Sequence, residues 1–204
     1  MMTQKTISAF PAWIALGTSV VFSPFIVPIV TAIFVIYKHA STSQEVILWL
    51  TIIATFVTVL PILAIALLFR FSKVSNFHLP AKEERLIPLC LTLVSMILGT
   101  IILYQIGASQ RIIWVCQVFI VNSIVFSVIT PLWKISFHTS VTTSCIIVLM
   151  LLVNLNLVWL FLLIPLIAWA RVYRERHTLL QTFMGTLLAT AITMLFSIFQ
   201  PPMG

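Results

Sequence analysis

Apolar stretches interrupted only by short polar ones run along nearly the whole 204-residue chain. Each is close to the roughly 20 residues a helix needs to cross the hydrocarbon of a bilayer. The pattern predicts spans over 12–37, 45–69, 86–106 and 111–130. It then predicts a helix that starts within the polar insert 133–140 and runs to 153, and two more over 157–170 and 178–199. Pro24 and Pro28 are expected to kink the first span or delay its start, and Pro61 to kink the second, because proline removes a helix donor and collides with the preceding turn. Gly107-Ala108-Ser109-Gln110, Pro131, Asn154-Leu155-Asn156 and Gln200-Pro201-Pro202 supply the stops. The fifth and sixth helices are short, which suits either a re-entrant hairpin or two packed helices in a locally thin site. The first run is too long and too weakly flanked for a removable signal peptide. The expected fold is all-α, a polytopic transmembrane bundle of six to seven helices. It forms a single integral membrane domain over 1–204, with two N-terminal spans in 1–70 and a core in 71–199.

With 61% hydrophobic and 7% charged residues, no polar stretch is long enough to fold as a soluble domain. Cys90, Cys116 and Cys145 lie inside apolar runs without metal-ligand spacing and read as packing residues. The net charge of +7 collects at the ends of spans. The partners it implies are lipid phosphates of the membrane and a phosphorylated substrate, with no role for nucleic acid. There is no aspartate, and the only glutamates are Glu45, Glu83, Glu84 and Glu175. So few carboxylates argue against the magnesium sites that usually hold prenyl diphosphates. Neither a metal nor a cofactor is assigned.

The densest polar segment is 170–181, where Arg171, Arg174, Arg176 and His177 stand between two apolar runs. A helix restarting after His177 presents free N–H groups and the positive end of its dipole beside that histidine. Arginine adds planar, always-charged forks that match phosphate oxygens. A basic helix end alone is ordinarily a topology anchor. Position changes that reading: two spans separate the polar connection 70–85 from 133–140, and two more separate 133–140 from 171–177. All three segments therefore face one side, and helix starts after Lys82, Ser136 and Arg176 can converge on one volume. That side also carries Lys5, Arg70, Lys73, Arg85, Lys134, Arg171 and Arg174, against Lys38 and Arg111 on the other. The bias places the candidate active site on the cytoplasmic side.

Taken together, the segments resemble the phosphatidic acid phosphatase type 2 superfamily of membrane lipid phosphatases. That family carries a lysine followed six residues later by Arg-Pro, then Pro-Ser-Gly-His, then Ser-Arg with a histidine six residues beyond the arginine and an aspartate four further on. Ala170-Arg171 and His177 match the third motif in spacing, with Gln181 in place of the aspartate. Ile135-Ser136-Phe137-His138 keeps the serine and histidine of the second and loses its proline and glycine. Lys82-Glu83-Glu84-Arg85-Leu86-Ile87-Pro88 follows the first loosely. The likeness covers roughly 80–190 and makes 71–199 a phosphatase-like core.

The resemblance implies a metal-independent phosphatase acting on a lipid or isoprenoid (di)phosphate through a phosphohistidine. His177 would attack phosphorus, and His138 would protonate the leaving oxygen and later activate water. Lys82, Arg85, Ser136 and Arg171 would hold the non-bridging oxygens, with Lys134 assisting. Gln181, four residues after His177 on a helix, would accept its Nδ1–H and leave Nε2 as nucleophile. Arg174 and Arg176 read as solvated or lipid-facing, paired with Glu175. His39 and His78 read as structural or interfacial, and the hydroxyl run Thr139–Ser144 as packing, with Thr139 within reach of the site. Two rival readings keep the same fold: a non-catalytic binder or transporter of anionic lipids, and a terpenoid cyclase that starts by releasing diphosphate.

Overall fold

The computed structural model describes residues 9–71 and 86–200. Lys5, Lys73, His78, Lys82 and Arg85 lie outside them, as does the polar connection around them. The helices are α1 (Ala9–Val21), α2 (Val27–His39), α3 (Ser43–Ile53), α4 (Leu60–Arg70), α5 (Leu86–Gln105), α6 (Gln110–Ile129), α7 (Phe137–Leu152), α8 (Leu163–Tyr173) and α9 (Leu179–Phe199). A π-helical segment, Ala54–Val59, joins α3 to α4, and a 3-10 segment, Leu155–Leu162, leads into α8. The described residues are an all-α bundle, and five of its helical stretches are long and apolar enough to cross a membrane. Large apolar side chains such as Trp13, Leu132, Leu162 and Phe199 stand exposed on its outside, as suits a protein whose solvent is lipid.

Helix α7 is the axis. It is buried on nearly every side and packs against α2, α6, α8 and α9, which fits a sequence with no polar stripe facing outward. Its hydroxyls do the joining. Asn122 on α6 donates to Thr193 of α9 at 3.4 Å, Thr193 donates to Ser144 of α7 at 3.0 Å, and Ser144 donates back to Asn122 Oδ1 at 3.5 Å. Between helices that have no hydrophobic drive to associate in lipid, such bonds contribute roughly 0.6–2 kcal/mol each. Close to the start of α7 the packing is tighter still. A Cβ on Gly185 of α9 would lie 2.7 Å from Ser140 Oγ and 3.0 Å from the Ser136 carbonyl oxygen. Glycine there lets α9 lie directly against the first turn of α7.

The first predicted span is two helices. Ser23 closes the gap between α1 and α2: its carbonyl accepts from Ile26 and Val27 N–H, and its hydroxyl accepts from Phe25 N–H at 3.3 Å. Thr58, midway along the 28-residue stretch Ser43–Arg70, donates to the Phe25 carbonyl at 3.0 Å, so the break lies at mid-depth. The second span is interrupted differently. Pro61 has no N–H to give to the turn before it, and the backbone widens to a π-helix, with Leu60 N–H reaching Thr55 O. Ser95 of α5 donates to the Phe56 carbonyl at 2.6 Å. Irregular backbone persists inside a membrane when neighbours satisfy it, and here a hydroxyl from an adjacent helix does so at both places.

Helices five and six of the sequence reading are two packed helices, α7 and the 3-10/α8 stretch Leu155–Tyr173, the latter long enough to span. At the far end of α7, Lys38 donates to the Val153 carbonyl and His39 Nε2 donates to Leu152 O at 3.0 Å. Arg111 donates to His39 Nδ1 at 3.0 Å. These side chains satisfy carbonyls and complement the dipole at a helix C-terminus.

Candidate active site

The spacing of Arg171 and His177 is the spacing of a helix stop followed by a helix start. Helix α8 ends in a Schellman turn, with Arg176 N–H bonded to the Arg171 carbonyl and Glu175 N–H to that of Val172. The left-handed position of the turn, usually glycine, is filled by Glu175 at φ 53°. His177 follows, and Thr178 caps α9. The Thr178 hydroxyl accepts from Gln181 N–H at 3.2 Å, and Gln181 Oε1 accepts from Thr178 N–H at 3.1 Å. Two of the first-turn donors expected to be free beside His177 are thus taken within the helix itself.

Gln181 Oε1 also lies 3.3 Å from His177 Nδ1. A carbonyl oxygen can only accept, so Nδ1 carries a proton, and in the neutral ring Nε2 is then the unprotonated nitrogen. His177 is only 9% exposed, and it lines a cavity of about 400 Å³.

His138, on the first turn of α7, lines the same cavity. Its Nε2–H donates to the Ser19 carbonyl of α1 at 3.2 Å. That carbonyl is available for a local reason. Pro24 brings no N–H to the Val20 carbonyl, the end of α1 tightens, and Ser23 N–H bonds to Val20 at 3.1 Å where a regular helix would bond it to Ser19. With Nε2 held, Nδ1 is the nitrogen left for proton transfer. Arg171 and Arg174, and His177 whenever it is protonated, stand near enough for their charges to act on the His138 ring.

The α7 and α9 N-termini are bonded together: Ser136 N–H donates to the Gln181 carbonyl at 3.4 Å, and Thr139 Oγ1 to that of Thr182 at 3.0 Å. Thr139 is wholly buried in that joint and serves packing. Ser136 is wholly buried too, with its hydroxyl unbonded, and it stands behind the cavity wall. Phe137, at the position of the family's glycine, lines the cavity and packs edge-on against Phe126.

Lys134, Arg171, Arg174 and Arg176 line the cavity with the two histidines. Arg174 and Arg176 reach this cavity while staying half-exposed, and no ion pair with Glu175 forms among the described residues. Burial, and after it the Arg176 charge, pushes the Arg174 guanidinium below its usual value; an arginine nevertheless stays charged. The crowding of like charge favours an anion between them. Away from this cationic end the lining is mostly apolar. The structure therefore brings together His138, His177, Arg171, Lys134 and Gln181 from the sequence-derived set, leaves Ser136 behind the wall, and adds Arg174, Arg176, the Ser19 carbonyl and Thr178.

No protein-family model, curated protein or solved structure matches the chain.

Proposed function

We propose that this protein is an integral-membrane, metal-independent phosphatase that hydrolyses a lipid or isoprenoid (di)phosphate, as the resemblance to the phosphatidic acid phosphatase type 2 superfamily implies. The observation that carries the reading is one cavity whose cationic end holds two histidines with separately oriented ring nitrogens and whose remainder is apolar. A phosphate group suits the first part and a hydrocarbon tail the second. His177 Nε2 attacks phosphorus, and the bond from phosphorus to the leaving oxygen breaks. Once the bound anionic phosphate offsets the surrounding cations, His138 takes a proton from solvent at Nδ1 and gives it to that oxygen, while Ser19 retains the Nε2–H. Water, losing a proton to His138, then displaces His177 from phosphorus and inorganic phosphate leaves. Arg171, Lys134, Arg174 and Arg176 neutralise the oxygens as charge spreads over them. Lys82 and Arg85 join them on the strength of the resemblance alone. The scarcity of carboxylates supports chemistry without a metal, and the excess of basic residues on the motif side supports a cytoplasmic site.

The test is phosphate release from a panel of prenyl and glycerolipid phosphates by purified protein in EDTA. Release by the parent and none by a folded His177→Asn variant is the expected result. Recovery only on adding magnesium would reject the mechanism. Gln181 in place of the family aspartate and Phe137 in place of its glycine favour one rival, a non-catalytic anionic-lipid binder. Tight binding of the panel with no phosphate released would establish it.

A further inference from the structure

The face opposite the cationic mouth carries a titratable group that the proposed reaction does not use. His39 ends α2, half-buried, with both ring nitrogens engaged. Nε2 lies 3.0 Å from the Leu152 carbonyl oxygen of α7, and Nδ1 lies 3.0 Å from the Arg111 guanidinium of α6. Each partner has a single role: a carbonyl oxygen only accepts, and a guanidinium only donates. The two together fix a neutral ring, with its proton on Nε2 and a lone pair on Nδ1. A second proton would set Nδ1–H against an Arg111 N–H at 3.0 Å, where neither has a lone pair to offer. It would also add charge beside Lys38, whose ammonium is held by the Val153 carbonyl.

The surroundings do nothing to ease that conflict. Arg111 and Lys38 are the charges that act on the ring. Glu45, the titratable group of α3, is turned to the N–H groups of Ser41 and Thr42. The π segment has no titratable side chain, and the end of α7 brings carbonyls and the uncharged Leu152, Val153 and Asn154. Burial holds His39 below its ordinary value of 6.5; the Leu152 bond works against this, and the Arg111 and Lys38 charges work with it. What the Arg111 contact secures is the start of α6. Val115, Cys116 and Phe119, on the turns that follow, line the cavity. The apolar packing beneath, including Ile36, Ile112 and Leu149, does not depend on the proton, so a change there is local.

We propose that His39 is a proton sensor: acidification of the face opposite the cationic mouth breaks its contact with Arg111 and loosens the start of α6 from α2. The bond to Leu152 survives, since a cationic donor suits a helix C-terminus. The inference rests on these contacts and not on the phosphatase reading. Its sign follows from the folded state's preference for the neutral ring. The stability of the contact is full above pH 6.5 and is lost as pH falls through the lowered pKa.

The test is hydrogen exchange of the full chain in nanodiscs, corrected for intrinsic rates, which reads local opening of the α6 start. Between about pH 7.5 and about pH 5, opening of the segment 110–116 should rise by up to about 10-fold per pH unit below 6.5. The middle of α5 should hold its protection over the same range. His39→Gln offers an amide oxygen to Arg111 and an N–H to Leu152 at every pH. It should keep at the lower pH the protection it has at the higher. Arg111→Gln tests the contact from its other side: its amide oxygen can accept from a protonated Nδ1, so the pH response should vanish there as well. A response that came from His138 or His177 would survive in both variants. Equal protection of 110–116 at the two pH values in the parent, or an undiminished response in either variant, overturns the proposal.

Discussion

Gln181 Oε1 serves two donors, the backbone N–H of Thr178 and the Nδ1–H of His177, so its loss both frays α9 and frees the imidazole. Two substitutions separate these effects. Thr178→Ala removes the other half of the capping box, about 1 kcal/mol of helix stability, and leaves the contact with His177; turnover should stay near that of the parent. Gln181→Leu should lower kcat by roughly 10- to 100-fold, as loss of an orienting partner does. Gln181→Glu keeps the reach and adds the charge the family aspartate would supply, and kcat should hold or rise. Equal rates for Gln181→Leu and the parent would reduce Gln181 to a helix cap. At this scale local pairs are legible in sequence. His177 and Gln181 stand four apart, and Thr178-Leu179-Leu180-Gln181 is itself a capping-box pattern that the spacing rules could have found. The Ser19–His138 contact joins residues 119 apart in sequence, and no local pattern announces it.

Helices carry the second set of consequences. Pro24→Ala restores an N–H opposite the Val20 carbonyl, Ser23 N–H turns back to Ser19, and His138 loses the undivided use of that carbonyl. Turnover should fall roughly 10-fold, within the range attributed to general acid–base groups and their orientation, with KM little changed. An unaltered kcat would show that His138 is oriented by something else. Gly185→Ala forces α9 away from Ser140 and the Ser136 carbonyl and so separates His177 from His138. Overpacking of this kind costs about 1–3 kcal/mol, and activity should drop further than the melting temperature alone explains. A variant as active as its parent would mean that α9 can shift without disturbing the histidines. Span positions were readable because an apolar run of bilayer length has few other uses. The break at 22–26 and the π segment were readable only as proline positions. What satisfies them, Thr58 and Ser95, comes from neighbouring helices, and hydropathy holds no record of neighbours.

The whole bundle brings one end of α7, α8 and α9 together into a cationic mouth and ties the other end of α7 with Lys38, His39 and Arg111. The count of spans between polar segments anticipated that separation of faces without reference to residue type. Lys134, Arg171 and His177 do share one cavity; the long-range ties at the far face were beyond that count. The proposed cytoplasmic site, read from the bias of basic residues, makes a prediction at this scale. Cysteine placed at Ser41, exposed on the far side, should react with an impermeant thiol reagent in intact cells, and cysteine at Ser75 only after the membrane is opened. The reverse pattern would put the site outside the cytoplasm. The central claim is that phosphorus passes through His177, and it is tested most directly by trapping the phosphoprotein. Farnesyl diphosphate radiolabelled at its terminal phosphate, mixed with protein in EDTA and quenched within one turnover, should leave label that is stable to base and labile to acid. That label should map to His177 and vanish in His177→Asn. Free phosphate released at the parent rate by His177→Asn, with no labelled protein at any time, would contradict the account.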